Sequence, residues 1–250
     1  NRWKRALLRD ITGINTLRQA RIPTPKLHLQ SSTADGNAGL LIIEYLHEGS
    51  SLAALFDEAK SEEAKTEVLE MGVKTVADCH QAGLWQNDIH LDNFMLSKDV
   101  VYVLDGGDIK SRGGSLDAET RLKNFAHFLA QFPVAQDTQS SKLFDLYSQH
   151  IAKTSEVDAV EFAQMIRQAR RRRLNGYERK LTRSTTAHRC EQGGGFFYVY
   201  DRTIHSPKLD RFISDPDAFI EGQPLLKDGN SSTVALIEID KKNYVLKRYN

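Results

Sequence analysis

"WQNDIHLDNFMLSKDVVYVLDGGD", residues 85–108, decides how the rest of this chain is read. Asp88 and Asn93 stand five apart on a short polar stretch, "FMLS" and "VVYVLD" follow as two apolar runs separated by Lys98 and Asp99, and Asp105 ends the second run before two glycines. The runs have strand length and composition, so they predict a hairpin. The Asp-x-x-x-x-Asn spacing puts both side chains on one tight loop. An Asp at a strand end before Gly-Gly sits where the backbone can take angles closed to other residues. Phosphoryl transfer asks for these groups: one carboxylate to orient the attacking hydroxyl and accept its proton, and an Asn and an Asp to hold magnesium. Each part alone has a bland reading, since D-x-x-x-x-N is common and a strand-end Asp-Gly is usually a turn. The order of the parts, with a long helical segment before them, is the informative feature.

Outward from this stretch, apolar positions Leu7, Leu8, Ile11, Ile14 and Leu17 predict a helix over 1–21, with Gly13 as a weak point in its middle. Pro23 and Pro25 in "IPTPK" end it. "KLHLQ" and "GLLIIEYL" predict two strands, and helices are expected from about Leu52 and over Glu62–Ala82. The stretch 117–183 reads as helical with a Gln/Ser-rich break near 136–141. "EQGGG" reads as a flexible break, "FFYVYDR" as a strand, "SPKLDRFISDPDAFIEG" as a short helical connector, and the last 26 residues as β-patterned.

Composition narrows the class. The 250 residues are 40% hydrophobic and 27% charged, as in an ordinary globular protein, and the net charge of +1 nominates no partner such as nucleic acid. Charge is uneven, however: Arg170–Arg173 run together with Lys180 and Arg183 close behind, either a solvated helix face or a contact for an anionic surface. Two cysteines, Cys79 and Cys190, without CxxC spacing, argue against a disulfide framework or zinc site and fit a reducing compartment. No apolar run approaches the roughly 20 residues of a membrane span, so any membrane association is expected to be peripheral.

The catalytic-loop pattern and metal-binding turn in "QNDIHLDN" and "DGG" resemble the protein-kinase-like superfamily. His90, two after Asp88, resembles its small-molecule branch. With "IPTPK", "EYLHEG", "HLDNFML", "LDGGDI", "LKDGNSSTV" and "VLKRYN" added, the chain is similar to the lipopolysaccharide kinase family, bacterial enzymes that phosphorylate Kdo or heptose of the lipid A–core. The resemblance is strong at 85–108 and 225–250 and weak over 117–220. It implies an α+β, protein-kinase-like bilobal fold, a small antiparallel sheet lobe plus a larger helical lobe. It also implies ATP and Mg2+ as cofactors, a lipid-linked saccharide as substrate, and a place at the cytoplasmic face of a Gram-negative inner membrane.

Carried onto this sequence, the resemblance makes Asp88 the catalytic base and Asn93 and Asp105 the magnesium ligands. Lys247 becomes the strand lysine on the α/β-phosphates. Asp228, Gly229, Asn230, Ser231, Ser232 and Thr233 become the phosphate-covering loop, and Glu44 to Leu46 the adenine-contacting hinge. Asp10 is the candidate helix acid pairing with the lysine. Two departures stand out: Gln86 where the His of H-R-D belongs, and one glycine in the phosphate loop where protein kinases have three.

The loop and lysine strand precede the helix in a kinase but come last here. The expected layout is therefore 1–46 as helix and strands of the small lobe, 47–190 as the catalytic lobe, 191–224 as a connector, and 225–250 as the missing small-lobe strands. Circular permutation and a cut from a tandem array both fit. On the first account, 225–250 pairs with 26–30 and 40–45 in one five-stranded sheet, with Asn250 near Asn1. Two other functions stay open: a pseudokinase scaffold, and a phosphotransferase for an aminoglycoside- or choline-like molecule.

Overall fold

The computed structural model describes residues 2–151, 157–193, 196–239 and 241–249. The chain forms two compact units, Asn1–Arg172 and Arg173–Asn250. Both are mixed helix and antiparallel sheet, so the α+β class holds.

The first unit opens with α1 (Arg2–Gln19), then the antiparallel pair β1 (Leu27–Ser32) and β2 (Gly39–Ile43). A short β3 (Ser50–Ser51) leads into α2 (Leu52–Glu58) and α3 (Glu62–Gln81), each capped by a serine side chain, Ser51 and Ser61, that accepts a backbone N–H in the first turn. β4 (Leu84–Gln86) precedes the Asp88–Asn93 loop. The expected hairpin follows as β5 (Phe94–Ser97) and β6 (Val100–Val103), and β7 (Ile109–Ser111) returns to pair with β4. This order of helix, hairpin, helices, loop, hairpin and Asp turn is the one expected from the motifs.

Helices α4 (Ala118–Leu129), α5 (Ser140–His150) and α6 (Ala159–Leu181) complete the helical part. The helical break falls at 130–133, before Pro133, earlier than the Gln/Ser-rich 136–141 stretch, which is a 3-10 turn running into α5. Proline, which cannot donate a backbone hydrogen bond, marks the boundary better than the polar composition does. The core is aromatic at its centre. Phe125 stacks on Tyr147 at 4.1 Å and on Phe162 at 4.9 Å, and Phe94 meets Phe128 edge-on at 5.4 Å. All four phenylalanines are essentially inaccessible to solvent.

Gly13 has a positive role. A Cβ added there would stand 1.7 Å from the carbonyl oxygen of Gly106, and one added to Gly106 would stand 2.6 Å from the carbonyl of Asp10. Helix α1 therefore lies backbone to backbone on the Asp105–Gly107 turn, a contact that only hydrogen side chains allow.

In the second unit, β8 (His188–Gly193) pairs with β9 (Phe196–Asp201), so Glu191–Gly193 is strand where a flexible break is expected. Helices α7 (Pro207–Ser214) and α8 (Pro216–Ile220) precede β10 (Leu225–Gly229), β11 (Ser232–Ile239) and β12 (Lys242–Tyr249), which form a three-stranded sheet in that order. The expected five-stranded sheet is not formed among the described residues: β1 and β2 pair with each other, and β10–β12 among themselves. A lone hairpin is marginal in water, but this one has other support. A third strand joins it, and Ala235, Ile237 and Ile239 bury against Leu209 and Ile220 of the two connector helices. The expected approach of Asn250 to Asn1 lies outside the described residues.

Gly13→Ala should destabilise the chain by about 2 kcal/mol through overpacking. Helix propensity alone would instead favour alanine by about 1 kcal/mol. Urea unfolding of the two proteins measures the sign directly.

Candidate functional site

The loop between β4 and β5 is held from three directions. Asn93 donates through Nδ2 to the carbonyl of Asp88 at 3.3 Å, which closes the loop on itself. Its backbone N–H reaches His90 O at 2.9 Å, and its carbonyl accepts the N–H of Leu104 at 2.8 Å. The residue expected as one magnesium ligand is thus hydrogen-bonded to the neighbour of the other, Asp105. From the far side, buried Gln86 donates through Nε2 to the carbonyl of Leu104 at 3.1 Å, while its Oε1 is buried without a partner. Gln86, expected in the histidine place of the H-R-D pattern, makes an amide tie across to the Asp105 turn.

Helix α4 supplies the third hold. Asn124 donates to the carbonyl of Gln86 at 2.8 Å and faces His80 Nε2 at 3.0 Å, and His80 Nδ1 lies 2.7 Å from the Tyr147 hydroxyl. With Asn124 Nδ2 committed to Gln86, its Oδ1 accepts, so His80 carries its proton on Nε2 and accepts from Tyr147 at Nδ1. Burial pushes the His80 pKa down to about 4, which keeps the ring neutral in this arrangement. Seven residues on, Gln131 accepts the N–H of Leu91 at 3.2 Å and donates to the carbonyl of Ile89 at 2.5 Å. Two amides, Asn124 on α4 and Gln131 just past its end, thus grip the loop backbone before and after Asp88. Sequence reasoning missed His80, Asn124, Gln131 and Tyr147. The available signal was polar residues inside otherwise apolar helical faces, such as Asn124 in "NFAHFLA".

Asp105 takes left-handed backbone angles, φ 55°, and its pKa is raised. Burial is the first cause; the nearby carboxylates of Asp108, Asp10 and Asp88 add to it, against a lowering from the Gly107 N–H. Four acidic groups therefore converge. Asp10 comes close because of the glycine contact: its Oδ1 occupies the place where a Cβ of Gly107 would be, 2.3 Å away. Asp88 and His90 are exposed, and His90 Nδ1 lies 3.2 Å from Asp92.

Beside these carboxylates lies a cavity of about 370 Å³. Ile14, Leu41, Ile43, Leu46, Met95 and Leu104 give it apolar walls, and Asp10, Glu44 and Asp105 also line it. Its size and composition suit a small planar ligand with a charged tail. The expected hinge, Glu44 to Leu46, forms part of the lining; Glu44 is fixed by its side chain accepting the N–H of Lys26 at 3.0 Å.

The acidic convergence also fits magnesium. Among the described residues no three His, Cys, Asp or Glu are spaced to enclose a metal by themselves. Magnesium, though, is usually held by one or two carboxylates with phosphates and water. Asp105 is such a carboxylate, and among the described residues Asn93 is hydrogen-bonded through its Nδ2, which leaves its Oδ1 for a ligand.

The remaining expected residues belong to the second unit. Asp228–Thr233 forms the β10–β11 turn, with Gly229 opposite Ser232 and Thr233 Oγ1 3.3 Å from Asp228. Lys247 lies on β12 opposite Val234, exposed, with its ammonium 4.6 Å from the centre of the Tyr249 ring.

No protein-family model matches the chain, and no curated protein sequence does either. Among solved structures, the chain is similar in fold to WaaP in complex with acyl carrier protein, with 17% identity and a TM-score of 0.47 over 65% of this chain and 75% of that one. It is also similar to the bifunctional kinase-methyltransferase WbdD, with 18% identity and a TM-score of 0.43 over 68% of this chain and 36% of that one.

Two outcomes follow from the geometry. Asn124→Ala strands the Gln86 carbonyl and the His80 N–H in the core and should cost about 2 kcal/mol in urea unfolding. Because the fold raises the Asp105 pKa, ionising that group costs stability; the cost is absent in acid and grows as pH rises through the raised value. Asp105→Asn should therefore melt a few degrees higher than the parent at neutral pH without magnesium, and the gain should vanish below the ordinary carboxylate range.

Proposed function

We propose that the first unit carries an ATP- and magnesium-dependent phosphotransferase site whose acceptor is an alcohol group, a sugar hydroxyl of a lipid-linked saccharide. The observation that carries the reading is the joining of Asp88, Asn93 and Asp105 around one acidic cleft beside an apolar cavity. Asp88 is exposed on a loop fixed at both ends, as a group that must meet an incoming hydroxyl should be. It orients that hydroxyl and accepts its proton. Asp105 and Asn93 would hold magnesium, which supplies charge neutralisation on the transferring phosphates. The apolar walls and the Glu44–Leu46 hinge take the adenine. By the motif resemblance alone, Lys247 and the Asp228–Thr233 turn of the second unit are phosphate-binding elements.

The finer reading, Kdo or heptose of a lipid A–core as acceptor at the cytoplasmic face of a Gram-negative inner membrane, rests on the motif resemblance. No helix among the described residues is long and apolar enough to cross a membrane. The basic stretch offers a peripheral contact, with one correction to its makeup. Arg170 is a half-buried partner of Asp137 at 2.9 Å, so Arg171 and Arg172, both exposed, are its outward charges near that end. A pseudokinase is the second reading, favoured by Gln86 and by the single glycine of the β10–β11 turn. An aminoglycoside- or choline-like acceptor ranks third, because such cationic substrates call for an acidic pocket and this basic stretch offers the opposite.

Transfer from radiolabelled ATP to a lipid A–core extract tests the proposal. Asp88→Asn should abolish transfer while leaving nucleotide affinity unchanged, and near-parental turnover would remove Asp88 from the mechanism. Asp105→Ala should weaken Mg-ATP affinity as well as turnover. ATP binding without any transfer by the parent would favour the pseudokinase.

A further inference from the structure

The first unit holds a second cavity, about 330 Å³, walled by β4, α4 and α6, that shares no lining residue with the nucleotide cleft. The two are electrostatic opposites. The cleft is lined by the carboxylates of Asp10, Glu44 and Asp105 and by no basic side chain. The second cavity is lined by Lys123, His127 and Arg172 and by no carboxylate. An acidic cleft gathers a metal ion, and a basic cavity gathers an anion.

Its other walls narrow the ligand. Trp85 presents a half-buried aromatic surface, and Asn87, Thr120 and Gln168 add neutral hydrogen-bonding groups. An aromatic face with amides and a hydroxyl suits a ring that is apolar on its C–H face and polar at its edge; the cations suit a carboxylate or phosphate on that ring. The nearby acids are already engaged. Glu119 is paired with Lys123 one helical turn on, and Asp117 caps α4 and pairs with Arg112, whose guanidinium lies 5.9 Å from the Trp85 ring. The Lys123–Glu119 pair is exposed on both sides, so it contributes little and yields readily to a bound anion.

Position gives the cavity its role. Asn87 is the residue before Asp88, and its N–H is tied to the carbonyl of Asp108 at 2.8 Å, so one edge of the cavity is fixed to the catalytic loop. We infer that this cavity is the acceptor-side subsite for an anionic saccharide, seating a sugar acid or sugar phosphate on Trp85 with its charge on Lys123 and Arg172. This rests on the phosphotransferase reading for its role, and on the cavity itself for the binding.

Saturation-transfer NMR separates the two. Glucuronate, glucose 6-phosphate and glucose are each added to the full chain without nucleotide, with inorganic phosphate as competitor. Glucuronate, glucose 6-phosphate or both should receive saturation at their ring protons, glucose should not, and a Lys123→Gln/Arg172→Gln double variant should bind roughly tenfold more weakly, as loss of charge-assisted contacts implies. Which acid binds identifies the anionic group. Both substituted residues are exposed, so the fold should survive. The signal reads binding without nucleotide or transfer, which keeps failure of the catalytic reading distinct from failure of this one. Equal saturation of glucose, unchanged binding by the double variant, or binding of inorganic phosphate with no saturated sugar ring would each overturn the inference.

Discussion

The contact on which the site depends is made of backbone alone. Helix α1 rests on the Asp105–Gly107 turn so closely that neither Gly13 nor Gly106 has room for a methyl group. That contact sets where Asp10 lies, brings its carboxylate beside Asp105, and leaves the turn carrying more negative charge than an empty site would favour. A left-handed Asp105 adds backbone strain at the same point. Charge crowding and strain in one turn are a cost to the fold, and a bound cation is the natural way to offset both the crowding and the raised pKa.

Around this fixed point, the Asp88–Asn93 loop is anchored by residues distant in sequence. Asn124 and Gln131 hold it at Gln86, Ile89 and Leu91, and His80 and Tyr147 hold Asn124 in turn. A buried hydrogen-bonded network of this kind rigidifies what it touches. It leaves Asp88 as an exposed side chain on a backbone tied on both sides. Acidic cleft on one side and basic cavity on another then give the loop two chemically distinct neighbours, one suited to a metal–nucleotide and one to an anionic ring.

What the sequence discloses here is local. Asp88, Asn93, the β5–β6 hairpin and Asp105 follow from spacing and from apolar runs of strand length, because neighbours in sequence determine them. Gly13 reads as a flaw until its partner 93 residues away is known. The His80–Asn124–Gln86 chain is invisible for the same reason, since its members span α3, β4 and α4. Arg170 counts as surface charge in a run of four arginines, yet Asp137 takes it inward. The sheet of the second unit was expected to seek strands at the other end of the chain. Leu209 and Ile220 on two short helices give it an apolar cover close by, which a composition reading treats as mere connector.

The central claim is that the acidic turn and the adjoining cavity together bind a magnesium–nucleotide. Calorimetric titration of ADP into the chain, with magnesium and with a chelator, tests it most directly. The account predicts binding that is at least about tenfold tighter with magnesium, because the ion bridges the phosphates to Asp105. Equal affinity under both conditions, or no binding in either, would contradict it.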